Sequence, residues 1–107
     1  MRLEYTFQID DVPVPRFSVE AVEGIGKLFT LATLVINVLA IKSRVEIVFH
    51  GLNAEDPTRK IDAFREILAS SDAGAEVRFH AGHGGKVHGS SSYFQWLSLE
   101  RGEPSGS

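Results

Sequence analysis

The sequence predicts one small α+β domain: a four- or five-stranded mixed sheet with two or three helices packed mainly on one face, an open-faced sandwich. Three observations predict it. Short runs alternate apolar and polar residues with the period of a half-buried strand, and apolar stripes at helical spacing fall between those runs. The chain has 107 residues, of which 43% are hydrophobic, enough for one core in a domain of ordinary size, about 100–150 residues. The domain is expected over 1–102, with EPSGS (103–107) as a flexible tail.

Leu3, Tyr5, Phe7 and Ile9 alternate with Glu4, Thr6 and Gln8, which reads as the first strand. Asp10–Pro15 (DDVPVP) is expected to end it, because two prolines remove ladder donors. Phe17, Val19 and Ala21 alternate with Ser18 and Glu20 and give a second strand, forming a hairpin with the first. Glu23-Gly-Ile-Gly26 breaks the pattern.

The segment LFTLATLVINVLAI (28–41) follows. Its Thr, Val and Ile content favours strand locally, but its length favours helix. As a helix it places Leu28, Leu31, Val35, Val38 and Leu39 on one face and leaves Phe29 and Ile36 outside that stripe. Arg44–His50 (RVEIVFH) is a third strand, with Val45, Ile47 and Phe49 inward and Arg44, Glu46 and His50 outward. Residues 54–69 form a second helix with the stripe Ile61, Phe64, Ile67 and Leu68. Asn53 or Asp56 offers its N-cap, and Pro57 sits in the first turn.

Ala75–His80 is a fourth strand with Val77 and Phe79 inward and Glu76, Arg78 and His80 outward. Glu46-x-x-Phe49-His50-Gly51 recurs as Glu76-x-x-Phe79-His80-Ala81. One helix separates the two strands, so they are expected to form a parallel βαβ unit, with both histidines at strand carboxyl ends, where ligands collect. SSSYFQWLSLERG fits either a helix, with Ser92 and Gln95 as a capping box and Gly102 at its end, or an edge strand with alternating aromatics.

The totals exclude several functions. No cysteine is present, which removes disulfides, thiol catalysis, iron–sulfur clusters and cysteine-ligated zinc and agrees with a cytoplasmic location. The net charge of −3 offers no general attraction to phosphate backbones, and Lys and Arg are scattered, so nucleic acid is not an expected partner. The N-terminus lacks the apolar core of a secretory signal. At fourteen residues, 28–41 falls short of the roughly 20 needed to span a membrane.

AEVRFHAGHGGKVHG (75–89) holds three of the four histidines and four of the ten glycines. His80, His83 and His88, joined by His50, are candidate ligands for Zn, Cu or Ni, though H-x-x-H-x-x-x-x-H matches no diagnostic spacing; no cofactor is otherwise expected. Lys86, Ser91 and Ser92 are candidate anion-binding residues, set among flexible amides before a possible helix start. Ser90, Ser91 and Ser92 lie near His88, but no G-x-S-x-G elbow is present, and the sequence favours a non-enzymatic role.

Residues 28–68 resemble the later half of HPr-like phosphocarrier domains. Leu28-Phe-Thr-Leu-Ala-Thr-Leu34 is similar to that family's short apolar docking helix. Arg44–Gly51, Asn53-Ala-Glu-Asp56 and the helix to Leu68 are similar to its last strand, acidic turn and last helix. The resemblance implies an open-faced sheet with helices on one side and a protein-docking apolar helix. The family's phosphoacceptor turn, G-[LI]-H-x-R-P, is absent from the N-terminal part. Its nearest echo is Gly85-Lys-Val-His88-Gly-Ser-Ser-Ser92, where Ser90 and Ser91 replace the arginine and proline, and Lys27 stands near the regulatory serine's place. A circular permutation would account for the order, and His88 would then be the phosphoryl acceptor.

The leading expectation is a protein-interaction or assembly module. The segment 28–41 is apolar all round, which normally means burial on more than one side. Leu28, Phe29, Leu34 and Ile36 are the candidate partner-binding residues, facing a protein partner or a copy of the chain. The alternatives are cover by the chain's own Tyr93, Phe94, Trp96 and Leu97, or a histidine site, either phosphoryl-accepting or metal-binding.

Overall fold

The computed structural model describes the backbone of residues 2–7, 13–20, 25–71 and 76–102, and the side chains of 15–20, 27–71 and 76–102. The elements are β1 (Arg2–Phe7), β2 (Pro13–Val19), α1 (Ile25–Lys42), β3 (Arg44–Gly51), α2 (Glu55–Ala69), β4 (Val77–Lys86) and β5 (Tyr93–Arg101). They form an α+β fold with a five-stranded mixed sheet in the order β1-β2-β3-β5-β4. The expected Ile9 end of the first strand, the Glu23–Gly24 break and the 103–107 tail lie outside the described residues.

β2 pairs antiparallel with β1 and parallel with β3, and β5 pairs antiparallel with both β3 and β4. The adjacent parallel unit is therefore β2-α1-β3. β3 and β4 do run in the same direction, as their echo predicts, but β5 lies between them. Closing the β4–β5 hairpin gives β5 ladder partners on both edges, which corrects the expectation of neighbouring strands.

DDVPVP does not keep the chain out of the sheet, because β2 begins at Pro13. Pro13 and Pro15 share one phase of the strand, so their missing donors fall on a single edge. The ladder to β3 begins only at Arg16, beyond both.

α1 is a helix, and Leu28, Leu31, Ala32, Val35 and Leu39 on it are buried, the i, i+3, i+4, i+7 spacing of one packed face. α2 buries Ile61, Phe64 and Leu68 beside it, with Ile67 partly covered. Both helices cover the sheet face carrying Phe17, Val19, Val45, Ile47, Phe49, Leu97 and Leu99. Phe49 and Phe64 meet at 5.8 Å between ring centroids, tilted by 58°. This sheet–helix layer is the core.

Asn53 anchors α2 from one residue before the formal cap, its Oδ1 accepting from the N–H groups of Glu55 (3.0 Å) and Asp56 (3.1 Å). Asp56 lies inside the helix, where its Oδ2 accepts from Leu52 N–H at 2.9 Å, so of the two candidate caps only Asn53 serves the helix's first N–H groups. Lys60 Nζ then reaches across to the carbonyls of Glu20 and His50, each at 3.0 Å, tying α2 to the ends of β2 and β3.

Ala75, the expected start of the fourth strand, lies outside the described residues, and 76–89 are mostly strand. β4 runs on through Ala81-Gly-His-Gly-Gly-Lys86, paired to β5, where a glycine-rich loop was expected. β5 supplies the ladder that stabilises this weak strand former. A consequence is that 90–101 contains no helix. Gln95 does not complete a capping box with Ser92; its Nε2 donates to the carbonyl of Gly82.

Candidate functional site

Among the described residues, two surfaces stand out: the sheet face opposite the helices, and the outer face of α1. Strand alternation assigns the open sheet face. Register aligns Arg16 (β2), Glu46 (β3), Ser98 (β5) and His80 (β4) in one row, and Val48 lies between Ser18 and Trp96 in the next. His50 pairs with Phe94 in a third row.

The centre of this face is a stack. The Arg16 guanidinium lies 4.6 Å from the Trp96 ring centroid, and its Nη2 donates to Glu46 Oε1 at 3.4 Å. Arg16 Nε is buried with no hydrogen-bond partner. Arg16, Glu46, Gly82, His83, Trp96 and Ser98 line a pit of about 300 Å³ beside the stack.

A bulge between Ala81 and Gly84 puts Gly82 and His83 opposite Trp96. Bulges of this kind re-aim side chains, and the His83 ring meets Phe94 edge-on at 5.9 Å and Trp96 at 6.3 Å. A Cβ at Gly82 would come within 2.9 Å of the Trp96 Cβ, so the glycine permits this close strand crossing.

The four histidines occupy four separate environments. His50 Nε2 is 3.2 Å from Ser18 Oγ. His80 Nε2 is 3.4 Å from Glu100 Oε2. His83 packs on the aromatics, and His88 is exposed in the β4–β5 turn. Among the described residues, no group of three His, Asp or Glu side chains is placed to hold a metal ion. Of the two histidines expected at strand carboxyl ends, only His50 is near one; His80 is followed by six more strand residues.

The anion-binding candidates lie in and beside this turn. Lys86 and Ser91 line a shallow hollow with His88. Val87 N–H donates to Ser92 O (2.8 Å), and Ser92 N–H donates to Ser90 Oγ (3.0 Å). Ser92 is thus occupied in closing the turn and opens no helix, which removes the helix N-terminus on which an anion site there was to rest.

The other surface is the outer side of α1. Of the four partner-binding candidates, Leu28 is 4% exposed and belongs to the core, and Ile36 is half-buried against it. Phe29 and Leu34 are 58% and 39% exposed, and Ile41 is 78% exposed. With Thr30, Thr33, Asn37 and Ala40 they make up the solvent side of the helix. No charged residue occurs between Lys27 and Lys42.

Three of the four residues expected to cover this side lie elsewhere. Leu97 is in the core, while Phe94 and Trp96 take the alternate phase of β5 and face the opposite surface of the sheet. Among the described residues, no helix is long and apolar enough to cross a membrane.

Sequence reasoning did not single out Arg16, Lys60 or Arg101. Arg101 Nη1 donates to the carbonyls of Leu39 (3.2 Å) and Ala40 (3.0 Å), and its Nη2 to Ser43 Oγ (3.1 Å), capping α1 from a strand about sixty residues away. Only the alternation of Trp96 and Ser98 against Leu97 and Leu99 carried a local signal, by splitting the two faces of β5. No protein-family model matches the chain, and neither the curated proteins nor the solved structures contain a match.

Proposed function

We propose that the chain is a non-enzymatic, cytoplasmic interaction module that buries the outer face of α1 against another protein chain. One observation carries the reading. Phe29, Leu34 and Ile41 are exposed together on a helix side that has no charge for fourteen residues. Single exposed apolar residues are ordinary, but a helix side that exposes several of them and carries no charge marks an interaction site. The solvent side of α2 supplies the contrast, carrying Arg59, Asp62, Arg65 and Glu66. The resemblance of 28–68 to HPr-like domains, in which an apolar helix docks partners, points the same way.

The test is a photo-crosslinking side chain at position 29 or 34, introduced in cells that naturally make the chain. Protein adducts are expected at both positions and not at position 62 on α2. An absence of adducts from 29 and 34 alike would remove the proposal.

A further inference from the structure

We propose that the pit on the open sheet face is a binding site for a guanine base, taken up as the free base or its nucleoside. The site lies on the side of the sheet away from α1 and does not depend on how α1 is used. Four strands contribute to it: Arg16 from β2, Glu46 from β3, Trp96 and Ser98 from β5, and Gly82 and His83 from the bulge in β4. Its volume of about 300 Å³ is at the small end of ligand sites, which run from about 300 to 1,000 Å³. That is room for one bicyclic base and little beyond it.

The lining selects the ligand. Arg16 and Glu46 set a planar group of donors beside a pair of acceptors, and the protein saturates neither. Among the described residues, Arg16 donates only from Nη2, at 3.4 Å to Glu46 Oε1, and Arg44 Nη2 stands 3.9 Å from Glu46 Oε2. Both distances exceed the roughly 2.7–2.9 Å of a charged hydrogen bond. Arg16 Nε is buried with no acceptor in return, so the stack on Trp96, at 4.6 Å, and not hydrogen bonding, fixes the guanidinium. The two charges compensate each other, so the pair selects no charged ligand; it selects a rim with acceptors beside donors. The Trp96 indole and the exposed His83 imidazole complete the walls, and aromatic walls favour a flat guest.

Guanine has that rim. Its N7 and O6 accept, and arginine is their commonest protein partner. Next along the same edge its N1–H and 2-amino group donate, and one carboxylate accepts both. Adenine instead alternates acceptor, donor and acceptor, and would turn one acceptor toward Glu46.

Trp96 is the chain's single tryptophan, so its fluorescence reports this site alone. On the intact, unaltered protein, guanosine is expected to change that fluorescence saturably, with calorimetry giving one molecule per chain. Inosine, which lacks the 2-amino group, should bind about tenfold more weakly, and adenosine no more tightly than inosine. Glu46→Gln, checked for folding by circular dichroism, should lose the preference for guanosine over inosine, and Phe29→Gln on α1 should keep it. No binding of guanosine at millimolar concentration, or equal binding of the three nucleosides, would overturn the site; neither result requires a variant to fold. A short guanosine-containing single-stranded RNA is the last arm. Affinity for it close to that for guanosine supports the free nucleoside, whereas affinity more than about tenfold higher, falling with salt, would overturn the free nucleoside as the source of the base.

Discussion

Arg16 and Trp96 face each other across β3, from strands that are not neighbours, with the guanidinium 4.6 Å from the indole centroid. Such a contact contributes about 0.5–1 kcal/mol when exposed and about 2 when desolvated. The Arg16 side chain is 29% exposed, between those limits. The Glu46 ion pair is loose for a charged hydrogen bond, at 3.4 Å, and part-exposed pairs of this kind contribute about 0–1 kcal/mol. A double-mutant cycle of Arg16→Met with Trp96→Leu, read by urea unfolding, is expected to show coupling of about 1 kcal/mol. The cycle with Glu46→Gln should show less. Coupling near zero in the Trp96 cycle, with the larger value in the Glu46 cycle, would mean that the ion pair, and not the stack, holds this face.

The glycines sort by what a methyl group would meet. At Gly51 a Cβ would overlap the Asp56 Cβ and lie 2.7 Å from Pro57 Cδ, where α2 starts hard against the end of β3. Gly51→Ala is expected to cost about 3 kcal/mol or more, in the range of overpacking and lost caps. At Gly85 the nearest atoms are 3.7 Å away, and alanine should be neutral or slightly stabilising. Gly89 has open space but a φ of +76°, so alanine there should cost about 1 kcal/mol from backbone strain alone. Thermal melts of the three variants give the order directly.

That order bears on what could be read from the sequence. Elements whose apolar spacing is set by their own packing were legible: β3, α2 and, by its length, α1. The stretch from Ala81 to Lys86 was not. Glycine and histidine are poor strand signals, and the ladder that makes this segment a strand comes from β5, an element whose own sequence fitted two periods. Once β5 is a strand, β4 follows by pairing, and the histidines are spread over a face instead of gathered in a loop. The Arg16–Trp96 stack was hidden for the same reason, since it depends on strand order, and no local pattern encodes that β5 lies beside β3.

Ser43 ends α1 with a φ of 69°, the left-handed position usually filled by glycine. Its Oγ accepts from Arg101, whose guanidinium also covers the carbonyls of Leu39 and Ala40. Two opposed effects follow for Ser43→Gly: relief of backbone strain, about 1 kcal/mol, and loss of one of three charged hydrogen bonds. The first should win, leaving the variant equal or slightly more stable. Arg101→Met removes all three bonds to an exposed helix end and should cost about 1–2 kcal/mol. Chemical denaturation of both variants checks the pair of signs.

The two sides of α1 should respond to substitution in opposite ways. Leu31 and Val35 are 0% exposed, and Leu31→Ala is expected to cost about 2–5 kcal/mol through the lost transfer energy and the cavity left behind. Phe29, Leu34 and Ile41 have no such role in the monomer, so Phe29→Gln or Ile41→Gln should change dilute-solution stability by about 0.5 kcal/mol or less. Binding separates packing from association. A bound partner stabilises the folded state by mass action, so the melting temperature should rise when the cross-linked partner is added. That rise should disappear in Phe29→Gln and persist in Asp62→Asn on α2. A large loss of stability for Phe29→Gln in dilute solution would instead mean that this side chain supports the fold of the single chain, and the outer face of α1 would no longer be free for another protein.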